Sequence, residues 1–472
     1  MVDKALAFEP AWKLGELIRA KKVSPVELVE AFFKRIEKLN PKLNAYLTLD
    51  VEGAMKSAKE AEKALSKRKK LGLLHGVPIS IKDLEVTKGL RTTLGSLAFK
   101  DTIPDKDTIV VERVRASGAI ILGKTNTPEF GLSGTTENRL GDPCFNPWDI
   151  TRTAGGSSGG AAAALAAGLC PLATGSDGGG SVRIPASFCG VYGIKPSQGR
   201  VPRYGGLGRP AFSQFSQPGP LARSVKDAAL LLNVLAGRDP RDPTCQQEAP
   251  PDFQKALDGK VKGMRIGWSP DLGYAAVDPE VVKITSKAAR VFEGLGCTVE
   301  EVDIKLENPF EYFFNMFSSD IYASYGHLME DYYYELSEFA VRSFNHARNV
   351  KGSEYSRALL AIQVMRAQMA RLMEKFDLLL TPTMAVTAFL VGQRPREIGG
   401  RPVDPFWGFL PFTFPINMTG QPAASIPCGF SKEGLPVGLH LIGRFKDEMT
   451  VIRASAAFEG ARPWASKRPS IS

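Results

Sequence analysis

The sequence predicts an α/β fold, a sheet layered with helices, on three observations. Short apolar runs of strand length alternate with helix-length segments from about residue 76 onward. A glycine-rich turn leads directly into an alanine-rich helix after Gly160, and near the carboxyl end two strand-like runs flank a tight turn as a hairpin. With 472 residues, 43% hydrophobic and 23% charged, the chain can bury a large core. No repeat or low-complexity linker divides it. One domain over residues 1–472 is therefore expected, with a helical segment at about 1–70 and a variable, substrate-lining segment at about 305–350.

Within the first seventy residues, Ser24-Pro25-Val26-Glu27 is a capping box with proline at the first helical position. Leu28, Phe32, Ile36 and Leu39 then recur at helical spacing until Asn40-Pro41, where the run is expected to stop. An alanine-rich helix follows near Val51 to Leu65, and Lys67, Arg68, Lys69 and Lys70 read as its solvated end. Gly76 to Asp83 reads as a short buried strand, Thr108 to Ala116 as helix, Ala119 to Leu122 as strand and Ala161 to Ala167 as helix. Residues 196–262 read as loops around a helix between Val225 and Leu235. Met264 to Trp268, Val281 to Leu295 and Cys297 to Val302 make a β-α-β unit. From Pro309 to His346 aromatic residues crowd together, as core and cover helices or as the wall of an apolar substrate pocket. Asp377 to Thr383 is a strand entering a turn, and Ala424 to Cys428 with Gly438 to Gly443 flank Lys432-Glu433-Gly434 as the hairpin. A last helix covers Glu448 to Glu459.

The net charge of +10 comes from 60 basic and 50 acidic residues spread along the chain, so no nucleic-acid partner is expected. The six cysteines, Cys144, Cys170, Cys189, Cys245, Cys297 and Cys428, are scattered and contain no Cys-x-x-Cys pair. They read as reduced core thiols in a cytoplasmic protein. The first ten residues lack the apolar stretch of a signal peptide. The longest apolar run, Ala161 to Leu172, is broken by Gly168 and falls short of a membrane span, so no membrane anchor is expected. No His/Cys/Asp cluster has metal-ligand spacing, and no cofactor is expected.

Chemistry concentrates in two glycine-rich turns, Gly155-Gly156-Ser157-Ser158-Gly159-Gly160 and Gly175-Ser176-Asp177-Gly178-Gly179-Gly180-Ser181, and in Lys82 at the end of an apolar run. A serine must hand its proton to a base as it attacks. Lysine can take that proton only when neutral, and burial among Val77, Ile79 and Ile81 would favour the neutral amine. The competing reading of Lys82 is a strand lysine paired with Asp83 or reaching outward. Consecutive glycines let the backbone aim several N–H groups at one point, as a developing oxyanion needs. Gly178, Gly179 and Gly180 lead directly into Ser181, so nucleophile and oxyanion hole would come from one piece of chain. Gly155-Gly156-Ser157-Ser158-Gly159 also fits the G-x-S-x-G elbow of α/β-hydrolases, but Asp142 to Trp148 upstream reads as loop, not strand. Of the downstream histidines, His327, His346 and His440, none has the surroundings of a catalytic base.

The two turns, running on through Val182-Arg183-Ile184-Pro185-Ala186, resemble the signature of the amidase signature family. The likeness extends to Gly76-Val77-Pro78 before Lys82-Asp83, Gly123-Lys124-Thr125-Asn126, Thr136-Glu137-Asn138, Asn146-Pro147-Trp148-Asp149, Gly190 to Pro196 and Leu435 to Gly443. The resemblance implies the amidase signature fold, one mixed twisted β-sheet covered by helices on both faces, and a Ser-cisSer-Lys triad. By position Ser181 becomes the nucleophile, Ser157 the serine after a cis peptide bond and proton relay, and Lys82 the base. The amides of Gly178, Gly179, Gly180 and Ser181 become the oxyanion hole. Ser158, Asp177 and Arg183 are expected to brace the turns. Many members resemble Asp-Thr-Gly-Gly-Ser where this chain has Asp177-Gly178-Gly179-Gly180-Ser181, which loosens or widens the acyl side of the site.

Gly131, Phe406, Trp407, Phe409 and Phe412 are expected to line the substrate pocket, in regions that resemble the family's variable walls. The expected partner is a small-molecule amide, apolar or aryl, with ester or carbamate activity in range. A homodimer is compatible with this reading. The alternative within the resemblance is the glutamine-hydrolysing component of a tRNA-dependent amidotransferase, its A subunit, which would need a charged site for the amino-acid end of glutamine.

Overall fold

The computed structural model describes residues 6–66, 71–207 and 215–471. The basic run Lys67 to Lys70 lies outside them. Eleven strands form one sheet: β1 (Tyr46–Leu49), β2 (Pro78–Lys82), β3 (Ile120–Thr125), β4 (Leu172–Asp177), β5 (Tyr192–Lys195), β6 (Gln217–Ala222), β7 (Arg265–Trp268), β8 (Thr298–Glu301), β9 (Leu378–Pro382), β10 (Ala423–Phe430) and β11 (Pro436–Ile442). Their order across the sheet is β1-β3-β2-β4-β6-β5-β10-β11-β9-β7-β8. The sheet is mixed. β2 runs parallel to β3 and β4, and β7 runs parallel to β8 and β9. The remaining pairings are antiparallel. The α/β class and mixed sheet are thus as the sequence indicates.

The helices that position the site are α1 (Pro25–Leu43), α2 (Gly159–Ala166), α3 (Arg183–Cys189), α4 (Phe310–Tyr325), α5 (Gly352–Lys375), α6 (Phe414–Thr419) and α7 (Glu448–Ala461). Ser24 caps α1 by accepting the Val26 N–H at 3.1 Å. Contrary to expectation, α1 continues through Pro41 to Leu43 and ends where Asn44 turns left-handed at φ 46°. A proline in the last turn forfeits one hydrogen bond without a following turn to disrupt, so the helix tolerates it.

Two segments depart from the sequence reading. β6 lies in the middle of the sheet although Pro218 and Pro220 belong to it. β5 pairs only with Leu221 and Ala222, beyond both prolines, so the ladder on that side makes no demand on their missing N–H groups. The stretch before the first glycine turn is a short antiparallel ribbon, Phe145–Asn146 with Asp149–Thr153, outside the main sheet. Helix α2 is alanine-rich and wholly buried, as its lack of a polar face requires. A second apolar cluster gathers rings of α4, including Phe313, Phe314 and Phe317, with Phe215, Trp407, Phe409, Phe412 and Phe414. This aromatic block stands beside the second glycine turn and closes one side of the site.

Candidate active site

Three pieces of chain converge: the carboxyl end of β2, the turn entering α2 and the turn between β4 and α3. All five residues of β2 are buried, and Lys82 is 0% exposed. Its Nζ lies 2.7 Å from Ser157 Oγ and also donates to Ser176 Oγ at 3.1 Å and Ser176 O at 3.2 Å. Burial lowers its pKa to about 7, against the opposing pull of Asp177 and Glu85. Asp83 does not pair with it. Consecutive strand residues face opposite ways, and Asp83 turns to Lys124, whose Nζ is 3.4 Å from Oδ1, and to the Thr93 N–H at 3.0 Å.

Ser157 follows a cis Gly156-Ser157 peptide bond and is 1% exposed. A Cβ at Gly156 would meet Thr135 O at 2.6 Å, so no side chain fits where the chain enters this turn. Gly131, at φ +73°, borders the same hydroxyl: a Cβ there would lie 3.3 Å from Ser157 Oγ. Ser181 is 9% exposed and opens on the cavity that Ser157 and Gly131 also line. The turns are tied together by the Ser158 N–H, which donates to Ser181 O at 3.1 Å.

Among the described residues, the N–H groups of Gly178, Gly179 and Ser181 have no hydrogen-bond acceptor. Gly180 differs from the sequence expectation. Its N–H already donates to Asp177 Oδ1 at 2.7 Å, a bond that holds the turn. Thr413 fixes the turn from the far side by donating to Gly179 O at 2.6 Å.

Asp177 and Arg183, both fully buried, form the brace. Arg183 donates through Nε to Asp177 Oδ2 and through Nη2 to Oδ1, each at 2.9 Å, a bidentate pair. Burial alone would raise the Asp177 carboxyl, but the Arg183 charge and hydrogen bonds, with Lys195 and Asn417, together outweigh it and hold the group well below the usual carboxylate range. Asn417 of α6 donates to Asp177 O at 2.8 Å and accepts from Arg183 Nη2 at 2.6 Å. His440 Nε2 is 3.0 Å from Arg183 Nη1, which can only donate, so this nitrogen accepts. Burial, then the Arg183 charge, pushes His440 well below its ordinary value, and it stays neutral. His440 is therefore a packed histidine of the brace. Ser176, Asn417 and Thr413 carried no local signal in the sequence. Asn417 reaches Asp177 across 240 residues, and such a contact leaves no motif.

The cavity holds about 280 Å³. Its lining is mixed: Leu84, Leu94, Phe130, Phe317, Ile321 and Tyr325 stand among Glu85, Arg203, Ser216, Gln217, Arg241 and Asp242. Of the expected pocket residues only Gly131 lines it. Phe409 and Phe412 are 0% exposed, and Phe406 packs on Phe339 with ring centroids 5.1 Å apart. Trp407 stands behind Gly179, 3.5 Å from where a Cβ would project. Trp407, Phe409 and Phe412 are buried core, Trp407 packing on Phe313 and Phe317 of α4, whereas Phe406 is half-buried beneath the Arg342 and Arg394 guanidinium groups. The variable segment does contribute, through Phe317, Ile321 and Tyr325 at four-residue spacing on one face of α4.

A family model described as Amidase matches residues 27–452. The chain is 38% identical over 476 residues to an acylamidase of Rhodococcus erythropolis, covering 100% of this chain and 99% of that one. It is 39% identical over 492 residues to the A subunit of the glutamyl-tRNA(Gln) amidotransferase of Moorella thermoacetica, covering 99% of each. Among solved structures, a bacterial aryl acylamidase of the amidase signature family superposes with a TM-score of 0.92 at 34% identity, over 98% of each chain.

Proposed function

The chain belongs to the amidase signature family and is a hydrolase of carbon–nitrogen amide bonds, and we propose that it works through Ser181, Ser157 and Lys82 on apolar or aryl amides. The observation that carries the mechanism is the 2.7 Å contact between Lys82 Nζ, whose pKa falls to about 7, and Ser157 Oγ. Ser181 Oγ attacks the carbonyl carbon. Its proton passes to Ser157 Oγ as the Ser157 proton passes to the lone pair of neutral Lys82. The oxyanion is held by the N–H groups of Gly178, Gly179 and Ser181. Collapse expels the amine, which leaves protonated from the Lys82 ammonium through Ser157. Water then reverses the path and releases the acid. Apolar walls at Leu84, Leu94, Phe130, Phe317 and Ile321 support an apolar or aryl substrate.

The glutamine-hydrolysing amidotransferase component is the second reading, favoured by the 39% identity to the Moorella protein. The two are separated by assaying the purified chain alone on glutamine beside an anilide. Anilide turnover without glutamine turnover is the expected result. Glutamine hydrolysis that appears only with a second subunit would overturn the proposal.

A further inference from the structure

Gly178, Gly179 and Gly180 are consecutive, but only two of them have a structural reason to be glycine. Gly180 sits at φ +132°, and a Cβ there would fall 2.3 Å from Thr413 Oγ1. Backbone and packing both demand it. At Gly179 a Cβ would come 3.0 Å from Phe313 Cζ, a ring wedged among Phe215, Phe317, Trp407 and Phe414. Gly178 has neither constraint. It is absent from the positive-φ residues, and its Cβ would stand 3.5 Å from Ser216 Cβ and 3.6 Å from Phe317 Cε2, ordinary van der Waals distances. Gly178, Ser216 and Phe317 all line the cavity. What the missing side chain leaves is therefore space inside the site, next to an N–H that has no acceptor among the described residues.

We propose that Gly178 is a specificity-determining residue, which leaves about one methyl's extra room on the acyl side of the cavity, bounded by Ser216 and Phe317, for an acyl group larger than acetyl. The inference rests on Ser181 being the nucleophile. An oxyanion held by the Gly178 N–H puts the carbonyl carbon, and the first atom of the acyl substituent, within a few ångströms of the Gly178 Cα. A methyl group at 178 then subtracts directly from the volume left for that substituent, while the smaller acetyl group does not need the space. One methyl's worth of room in an apolar pocket is worth about tenfold in discrimination, and more when the walls cannot move.

The test is the ratio of kcat/KM for a benzoyl anilide to that for an acetyl anilide, in wild type and in Gly178→Ala. The ratio is expected to fall about tenfold or more. Adding Phe317→Leu to Gly178→Ala moves the wall back and is expected to recover part of the loss. The melting temperature of Gly178→Ala is expected to hold or rise slightly, since alanine narrows the unfolded ensemble where φ permits it. A lower melting temperature with equal losses on both anilides would show a merely structural glycine and overturn the inference. So would an unchanged ratio in a folded variant. Turnover of either anilide by Ser181→Ala would overturn the nucleophile as well, which separates the two failures.

Discussion

Acid should switch the enzyme off by protonating a single buried amine. The Lys82 pKa falls from 10.5 to about 7 because burial removes water from the ammonium. At pH 8 about 0.9 of the molecules then carry the neutral base, against about 0.003 for an unshifted lysine, a roughly 300-fold gain in competent enzyme. Below the midpoint kcat/KM should fall tenfold per pH unit, so that pH 5.5 gives roughly a thirtieth of the plateau. The assay is anilide hydrolysis under conditions far below KM, from pH 5.5 to 9.5, which reads the free enzyme. Lys195 must be eliminated as the source of the limb, since burial also lowers it to about 7. Its Nζ hydrogen-bonds to Pro196 O at 2.9 Å, away from both serines. Lys195→Met should therefore keep the limb in place. His440 titrates well below the range. A profile flat from pH 5.5 to 9.5, or a limb that moves with Lys195→Met, would refute Lys82 as the base.

Lys82→Met should abolish turnover but stabilise the fold at low pH. Both folded and unfolded chains carry the Lys82 ammonium below pH about 7, so its burial penalty is full there; it shrinks as pH rises from about 7 towards 10.5. Melting temperatures of wild type and variant across that window should accordingly converge. Asp177→Asn leaves the buried Arg183 guanidinium without its anion and should cost about 3–5 kcal/mol in denaturant unfolding, with activity falling as the turn loosens. Because the proposed proton path runs entirely through side chains, chelators should leave turnover unchanged.

The alternation of strand and helix was readable because apolar periodicity records which face of an element is buried. The hairpin of β10 and β11, the β-α-β unit of β7 and β8 and the buried strand ending at Lys82 all follow from it. Strand β6 was not readable, since Pro218 and Pro220 argue against a strand unless the neighbouring register is known. The glycine turns stood out because consecutive glycines free the backbone to aim several N–H groups at one point, and the structure brings Ser157 and Ser181 to one cavity with Lys82 buried behind Ser157. The pocket was misread for a physical reason. Apolar content cannot tell a ring facing substrate from a ring facing core, and Phe409 and Phe412 proved to be core while Phe130, earlier in the chain, faces the cavity. The donation of the Gly180 N–H to Asp177, itself held by Arg183, left no signal in the glycine run.

Which serine becomes acylated decides the mechanism. Trypsin leaves Ser157 and Ser181 on one peptide, Thr153 to Arg183, because no lysine or arginine lies between those ends. Labelling with a fluorophosphonate and fragmenting that peptide by tandem mass spectrometry locates the adduct to a single residue. The adduct is expected on Ser181 and should vanish in Ser181→Ala. An adduct on Ser157, or one that survives in Ser181→Ala, would contradict the assignment of the nucleophile.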